Sequence, residues 1–165
     1  MLIFYQNISL SKWKCAILIW NNAIFIIFTK GALVVNMLEV VPINRLNLTD
    51  LNMYQCGAEK CKPGHFYGPA VRDFFLIHYV NEGKGIFQVG NTIYNLSKGQ
   101  GFLICPGVVT FYQADSKDPW NYSWVGFHGL KAEEYLNQAN LSLENPVFTY
   151  TQDDFVDNCF KEMLE

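Results

Sequence analysis

The sequence predicts a mainly β domain, an antiparallel sandwich or barrel followed by carboxy-terminal helices. Three observations carry this. Between residues 74 and 128, six short runs rich in aromatic and β-branched residues recur at close, regular spacing. Glycine, proline and asparagine turns separate them. Only after Gly129 does the apolar pattern become helical. A chain of 165 residues suits one domain, and its 16% aromatic content suits a β-rich core or an aromatic-lined pocket.

The elements follow in order. "KCAILIWNNAIFIIF", residues 14–28, is strongly apolar behind Lys12 and Lys14. A positive flank and a short apolar run resemble a signal peptide or anchor, although the run is too short for a confident membrane-spanning helix. The other reading is a mis-called start, with translation beginning at Met37 or Met53. The strands begin with "FFLIHYV", residues 74–80, and "NEGKG" turns the chain into "IFQV", residues 86–89. Gly90-Asn91 is a two-residue hairpin signal before "TIYNL". In "SKGQGFLICPG", residues 97–107, Gly99 and Gly101 suit a tight turn because glycine reaches positive φ without penalty. Phe102 to Cys105 then reads as a buried strand, stopped at Pro106, which has no N–H to give a ladder. "VVTFYQA", the loop "DSKDP" and "WNYSWVGFH" complete the set. "KAEEYLNQAN" and "QDDFVDNCFKEMLE" read as helices, the second capped by Thr151, with Asp153 and Asp154 in its first turn. Phe155, Cys159 and Met163 give it a narrow apolar stripe.

The net charge of −3 is unevenly spread. Residues 1–36 carry three lysines and no acid, whereas residues 37–165 carry 9 basic and 15 acidic residues and net −6. An acidic domain is a poor match for phosphate backbones, so this part of the chain does not grip nucleic acid by itself. The five cysteines form no Cys-x-x-Cys pair, and Cys56 and Cys61 have no second pair to complete a zinc set. Reduced thiols of a cytoplasmic protein are the plain reading.

No metal centre, cofactor or catalytic residue is expected. His65, His78 and His128 are the only histidines, and no His-x-His occurs. Cys105 with His78 would be a nucleophile and base, but a cysteine also packs as a small hydrophobe. "GKG" at 83–85 lacks the strand-to-helix context of a phosphate loop. The richest segment is "PWNYSWVGFH". Strand alternation places Trp120, Tyr122 and Trp124 on one face and Asn121, Ser123, Val125 and Phe127 on the other. The aromatic face either lines a cavity or forms an ordinary core. Thr110 and Tyr112 share a face of the preceding strand. Arg72 is either a strand-start ion-pair residue or a fork for a ligand oxygen. His78 is either a satisfied core residue or a ligand group, and His65 sits in a Pro/Gly-bounded segment at a barrel mouth or on a surface loop.

Together, "GPAVRD", "GKGIF", "GQGFLICP", "ADSKDPW" and "WVGFHG", in this order over about residues 53–165, resemble the sensor domain of AraC-type bacterial transcription regulators. The resemblance implies a cupin-like double-stranded β-helix, a jelly-roll barrel that binds a small effector, often a sugar. It implies helices that form a homodimer and a separate helix-turn-helix half, absent from this chain, that binds promoter DNA. Tyr112, Tyr122 and Trp124 fall where sugar-binding members place pocket side chains. Trp124 would stack on a sugar face and the tyrosines would hydrogen-bond its hydroxyls. Arg72 lies near the family's pocket arginine, and His65 and His78 are further candidates. Residues 43–53 would be an arm over the ligand.

The organisation expected is an apolar extension over residues 1–36, a sensor barrel with its arm over 37–130, and a helical dimerisation region over 131–165 that stops before a DNA-binding domain. The protein is then a cytoplasmic, non-enzymatic sensor with no membrane partner. The competing readings are a small metal-free enzyme acting on a carbohydrate, with Tyr and His as acid and base, and an exported or anchored module using residues 12–30.

Overall fold

The computed structural model describes residues 50–164 with their side chains, and strand backbone alone at four places before them. Those are β1 (Leu2–Gln6), β2 (Lys14–Trp20), β3 (Ala23–Thr29) and β4 (Leu38–Pro42). The first three pair as an antiparallel sheet, and β4 pairs with β5 (Asn52–Lys60). The side chains of the signal-like extension, residues 1–36, and of residues 43–49 of the expected arm lie outside the described residues. Leu51 and Met53 are buried in a cluster with Ala132 and Leu136 of the first helix.

The remaining strands are β6 (Phe66–Ala70), β7 (Phe75–Glu82), β8 (Lys84–Val89), β9 (Thr92–Ser97), β10 (Gln100–Ile104), β11 (Thr110–Ala114), β12 (Asn121–His128) and β13 (Val147–Thr149). The helices are α1 (Ala132–Gln138) and α2 (Phe155–Leu164). A six-stranded sheet runs β13-β10-β7-β12-β5-β4 and a four-stranded sheet runs β6-β11-β8-β9, all pairings antiparallel. Side chains from both sheets, among them Leu76, Phe87, Phe102, Tyr112 and Trp120, form one core between them. A second core lies on the other face of the six-stranded sheet, where Ile77, Leu103, Val125 and Phe127 meet both helices.

This double burial explains the sequence pattern. Leu76 to Val80 on β7 and Tyr122 to Phe127 on β12 are buried without interruption, because each strand has a core on both faces. A strand covered on both sides reads as a continuous apolar run.

The six expected strands form as β7–β12, and β1–β6 and β13 are added. β6 contains Pro69 and lies at the edge of its sheet, where a missing N–H is tolerated. β13 is only three residues long and pairs with β10. Of the two glycines, only Gly99 uses positive φ, at +80°. Gly101 sits inside β10, where a Cβ would collide with the Phe148 ring and the His78 carbonyl. The second helix starts later than Thr151 would set it. Asp153 instead accepts the Phe155 N–H at 2.9 Å and the Tyr150 hydroxyl at 2.9 Å. Its buried face is also broader than the expected stripe, with Val156, Cys159, Phe160 and Met163 buried and Phe155 partly so. Among the described residues no helix is long and apolar enough to cross a membrane.

Candidate ligand-binding site

The barrel interior gathers the aromatic residues of four strands. On β12, alternation sends Tyr122 and Trp124 inward in line with Trp120, while Val125 and Phe127 join the outer core. Trp124 is in register with His78 of β7, and His78 with Phe102 of β10. The His78 ring stacks on Phe102 at 4.6 Å and 7°. Tyr112, reaching over from the other sheet, lies 4.9 Å from His78, as does Tyr122 on an edge. Trp124 is 6.3 Å away. Four of the expected residues, His78, Tyr112, Tyr122 and Trp124, are thus one cluster.

Arg72 closes one end of it. Its Nη1 donates to the Tyr67 hydroxyl at 3.1 Å, and its Cζ lies 4.3 Å from the centre of the Tyr67 ring, a cation–π contact. The Tyr67 ring stacks on Tyr112 at 5.6 Å. The Gly107 N–H donates to the Arg72 carbonyl at 2.8 Å, so the Pro-Gly turn after β10 anchors the backbone of this arginine. Sequence reasoning gave Arg72 but not Tyr67. Tyr67 is 44% exposed and is the outermost ring of the stack.

His65 lies apart, near the end of β5. Its Nε2 is 3.3 Å from Glu59 Oε1, and Glu59 Oε2 accepts the Tyr122 hydroxyl at 2.8 Å. Glu59 is the second residue that the sequence did not single out. Cys105 and His78 do not meet as nucleophile and base. Cys105 packs against the outer core, and His78 belongs to the inner face of the sheet. Cys56 and Cys61 are likewise divided between the two cores.

The electrostatics of the interior are those of a neutral site with one fixed cation. Burial holds the His78 imidazole well below its ordinary 6.5, and the nearby Arg72 charge adds to this. Burial pushes the Tyr112 phenol up to about 12, against the opposing pull of Arg72. Burial raises Tyr122 as well, with Tyr112, Cys61 and Glu59 contributing. At neutral pH the tyrosines keep their protons and the imidazole is uncharged, with one ring N–H and one acceptor nitrogen. Two buried nitrogens in this region, Arg72 Nε and His78 Nδ1, make no hydrogen bond. The Trp120 Nε1 also lacks one of normal geometry, with the weakly accepting Cys61 sulfur beside it. Buried polar atoms normally find partners, so nitrogens left over in an aromatic interior are groups a ligand can satisfy.

The cluster is packed by its own rings. Open grooves lie elsewhere: one of about 410 Å³ beside Lys84, Asn95, Ser97 and Gln113, another of about 450 Å³ beside Pro69, Gln88 and Val109.

A two-sheet antiparallel barrel with helices on one outer face and an aromatic interior is a barrel of the cupin type. Residues 52–165 match the AraC-like ligand binding domain, and the chain belongs to that family. It is 41% identical over 106 residues to the Msm operon regulatory protein of Streptococcus mutans, a match covering 64% of this chain and 38% of that protein. It is 40% identical over 94 residues to the raffinose operon transcriptional regulatory protein RafR of Pediococcus pentosaceus, covering 55% and 34%. It is 32% identical over 94 residues to the lactose operon transcription activator of Staphylococcus xylosus, covering 57% and 34%. These matches span roughly a third to two-fifths of the curated relatives' length. Among solved structures, YhaK of Escherichia coli shares the fold, with a TM-score of 0.54 at 12% identity over 71% of this chain and 52% of that one.

Proposed function

We propose that this chain is the effector-sensing part of a transcription regulator of a sugar operon, and that it binds a neutral carbohydrate in the aromatic interior. The observation that carries the reading is the His78–Tyr112–Tyr122–Trp124 cluster with its unbonded Arg72 and His78 nitrogens. Aromatic rings bury the C–H faces of a sugar, and the tyrosine hydroxyls, Arg72 and His78 meet its hydroxyls. The named operons of the curated relatives support the ligand class.

The role is binding, not turnover. His78 is buried, neutral and stacked, a poor position for a proton carrier. The protein works in the cytoplasm, and promoter DNA is held by a separate domain, because residues 37–165 net −6. Effector binding biases a two-state relation between barrel and helices.

The chain pairs with a second copy through the helical region. The apolar faces of α1 and α2 are committed to the barrel, so the contact uses their outer faces. Leu130, 83% exposed, and Leu143, 42% exposed, flank α1 and are the apolar anchors of that contact. Titration of the chain with neutral sugars and with sugar acids, followed by tryptophan fluorescence, tests the ligand class. A neutral sugar gives a saturable change and leaves the solution chemically unchanged. Hydrolysis or isomerisation of that sugar would favour the enzyme reading.

A further inference from the structure

The sequence holds no histidine pair, yet the fold brings three metal-ligating side chains together at the end of β5. Glu59 lies near the end of β5 and Cys61 just beyond the strand's end at Lys60, two residues on. His65 returns to them over the Lys62–His65 turn, whose His65 N–H donates to the Lys62 carbonyl at 3.0 Å. One carboxylate oxygen, the Cys61 Sγ and one imidazole nitrogen all lie within 4.8 Å of one another.

The surroundings fix this arrangement. The Cys61 N–H donates to the Trp120 carbonyl at 3.3 Å, and the Ala114 N–H to the His65 carbonyl at 2.8 Å. Both ends of the turn are therefore tied to other strands. The Tyr122 hydroxyl orients Glu59 from behind, as the hydrogen-bonded neighbours of metal-binding carboxylates do. Cys61 is buried, whereas the His65 side chain is 38% exposed and that of Glu59 19%. The cluster is closed on the protein side and open on the other.

We propose that Glu59, Cys61 and His65 bind a zinc ion through three protein ligands, leaving a fourth position open to solvent or ligand. Thiolate, imidazole and carboxylate together suit zinc, whereas magnesium and calcium take oxygen ligands. The thiol releases its proton to solvent as the metal binds. Tyr122 belongs to both this site and the aromatic cluster, so metal binding and the barrel interior share one side chain. The proposal stands independently of the sugar reading.

The test uses the whole chain, stripped of metal with a chelator and titrated with cobalt(II), then zinc. One equivalent of cobalt gives an intense near-ultraviolet thiolate charge-transfer band, which zinc abolishes by displacement. Cys61→Ser removes the band and Cys105→Ser keeps it. His65→Gln, at a partly exposed position that preserves the fold, weakens zinc binding by about tenfold or more, as does Tyr122→Phe. Should Cys61→Ser fail to fold, His65→Gln and Glu59→Gln carry the test. No stoichiometric binding overturns the proposal. So does a band that survives Cys61→Ser, or wild-type affinity in both His65→Gln and Glu59→Gln.

Discussion

Tyr122 and Glu59 face each other directly across the β12–β5 ladder, and the tyrosine hydroxyl donates to Glu59 Oε2 at 2.8 Å. This bond joins the aromatic interior to the Glu59–Cys61–His65 cluster. Tyr122→Phe removes the hydroxyl and leaves the ring in place. Loss of one hydrogen bond to a carboxylate costs about 1–2 kcal/mol. Urea unfolding at neutral pH should show that loss as a lower midpoint with an unchanged slope.

His78 makes stability depend on pH. Its folded pKa lies well below the ordinary 6.5, so the unfolded chain binds a proton that the folded chain refuses. Its contribution is fully present above pH 6.5 and is lost as pH falls below it. The loss approaches about 1.4 kcal/mol per pH unit until the folded group titrates. Thermal unfolding measured from pH 7 to pH 5 should show a falling midpoint. His78→Phe should flatten that fall, because a phenylalanine keeps the stack on Phe102 and has no proton to take up.

Gly101→Ala tests the close approach of β13 to β10. A Cβ at this position meets the Phe148 ring and the His78 carbonyl, and the ring must move. Overpacking of this kind costs about 1–3 kcal/mol. Gly107→Ala is the control, since its Cβ meets open space and only its φ of +77° is unfavourable. Denaturant unfolding should rank Gly101→Ala as the more damaging change.

Asp153 is the cap of the last helix. Asp153→Ala removes the carboxylate that accepts the Phe155 N–H and the Tyr150 hydroxyl. The expected cost is about 1–2 kcal/mol. Hydrogen exchange should show it first in the opening turn of α2.

Much of the barrel was legible because its turns are written in Gly, Pro and Asn, and because β12 alternates three large aromatics with smaller residues. The placement of Tyr122 and Trp124 followed from that alternation. β7 reads as a strand without hydrophobic–polar alternation, because both its faces are buried. Other features depend on pairings between distant residues. Glu59 meets Tyr122 only through the β5–β12 register. Tyr67 finds Tyr112 only because β6 joins β11. β13 has just three residues and no local pattern to announce it. The delayed start of α2 reflects a choice between Thr151 and Asp153 as cap, settled by the Tyr150 hydroxyl that also binds Asp153.

The central claim is that the aromatic interior beside Arg72 is a carbohydrate site, and calorimetric titration tests it most directly. Trp124→Ala is a poor probe, because truncating a buried tryptophan costs about 3–5 kcal/mol and threatens the fold. Arg72→Gln is better, since Arg72 is only partly buried and its loss costs about 1 kcal/mol or less. The whole chain and Arg72→Gln would be titrated with a panel of neutral mono- and oligosaccharides, with unfolding midpoints recorded for both. The account predicts saturable one-to-one binding of at least one sugar, weakened at least about tenfold in Arg72→Gln at nearly unchanged stability. Binding that ignores the Arg72 change, or no binding across the panel, would contradict it.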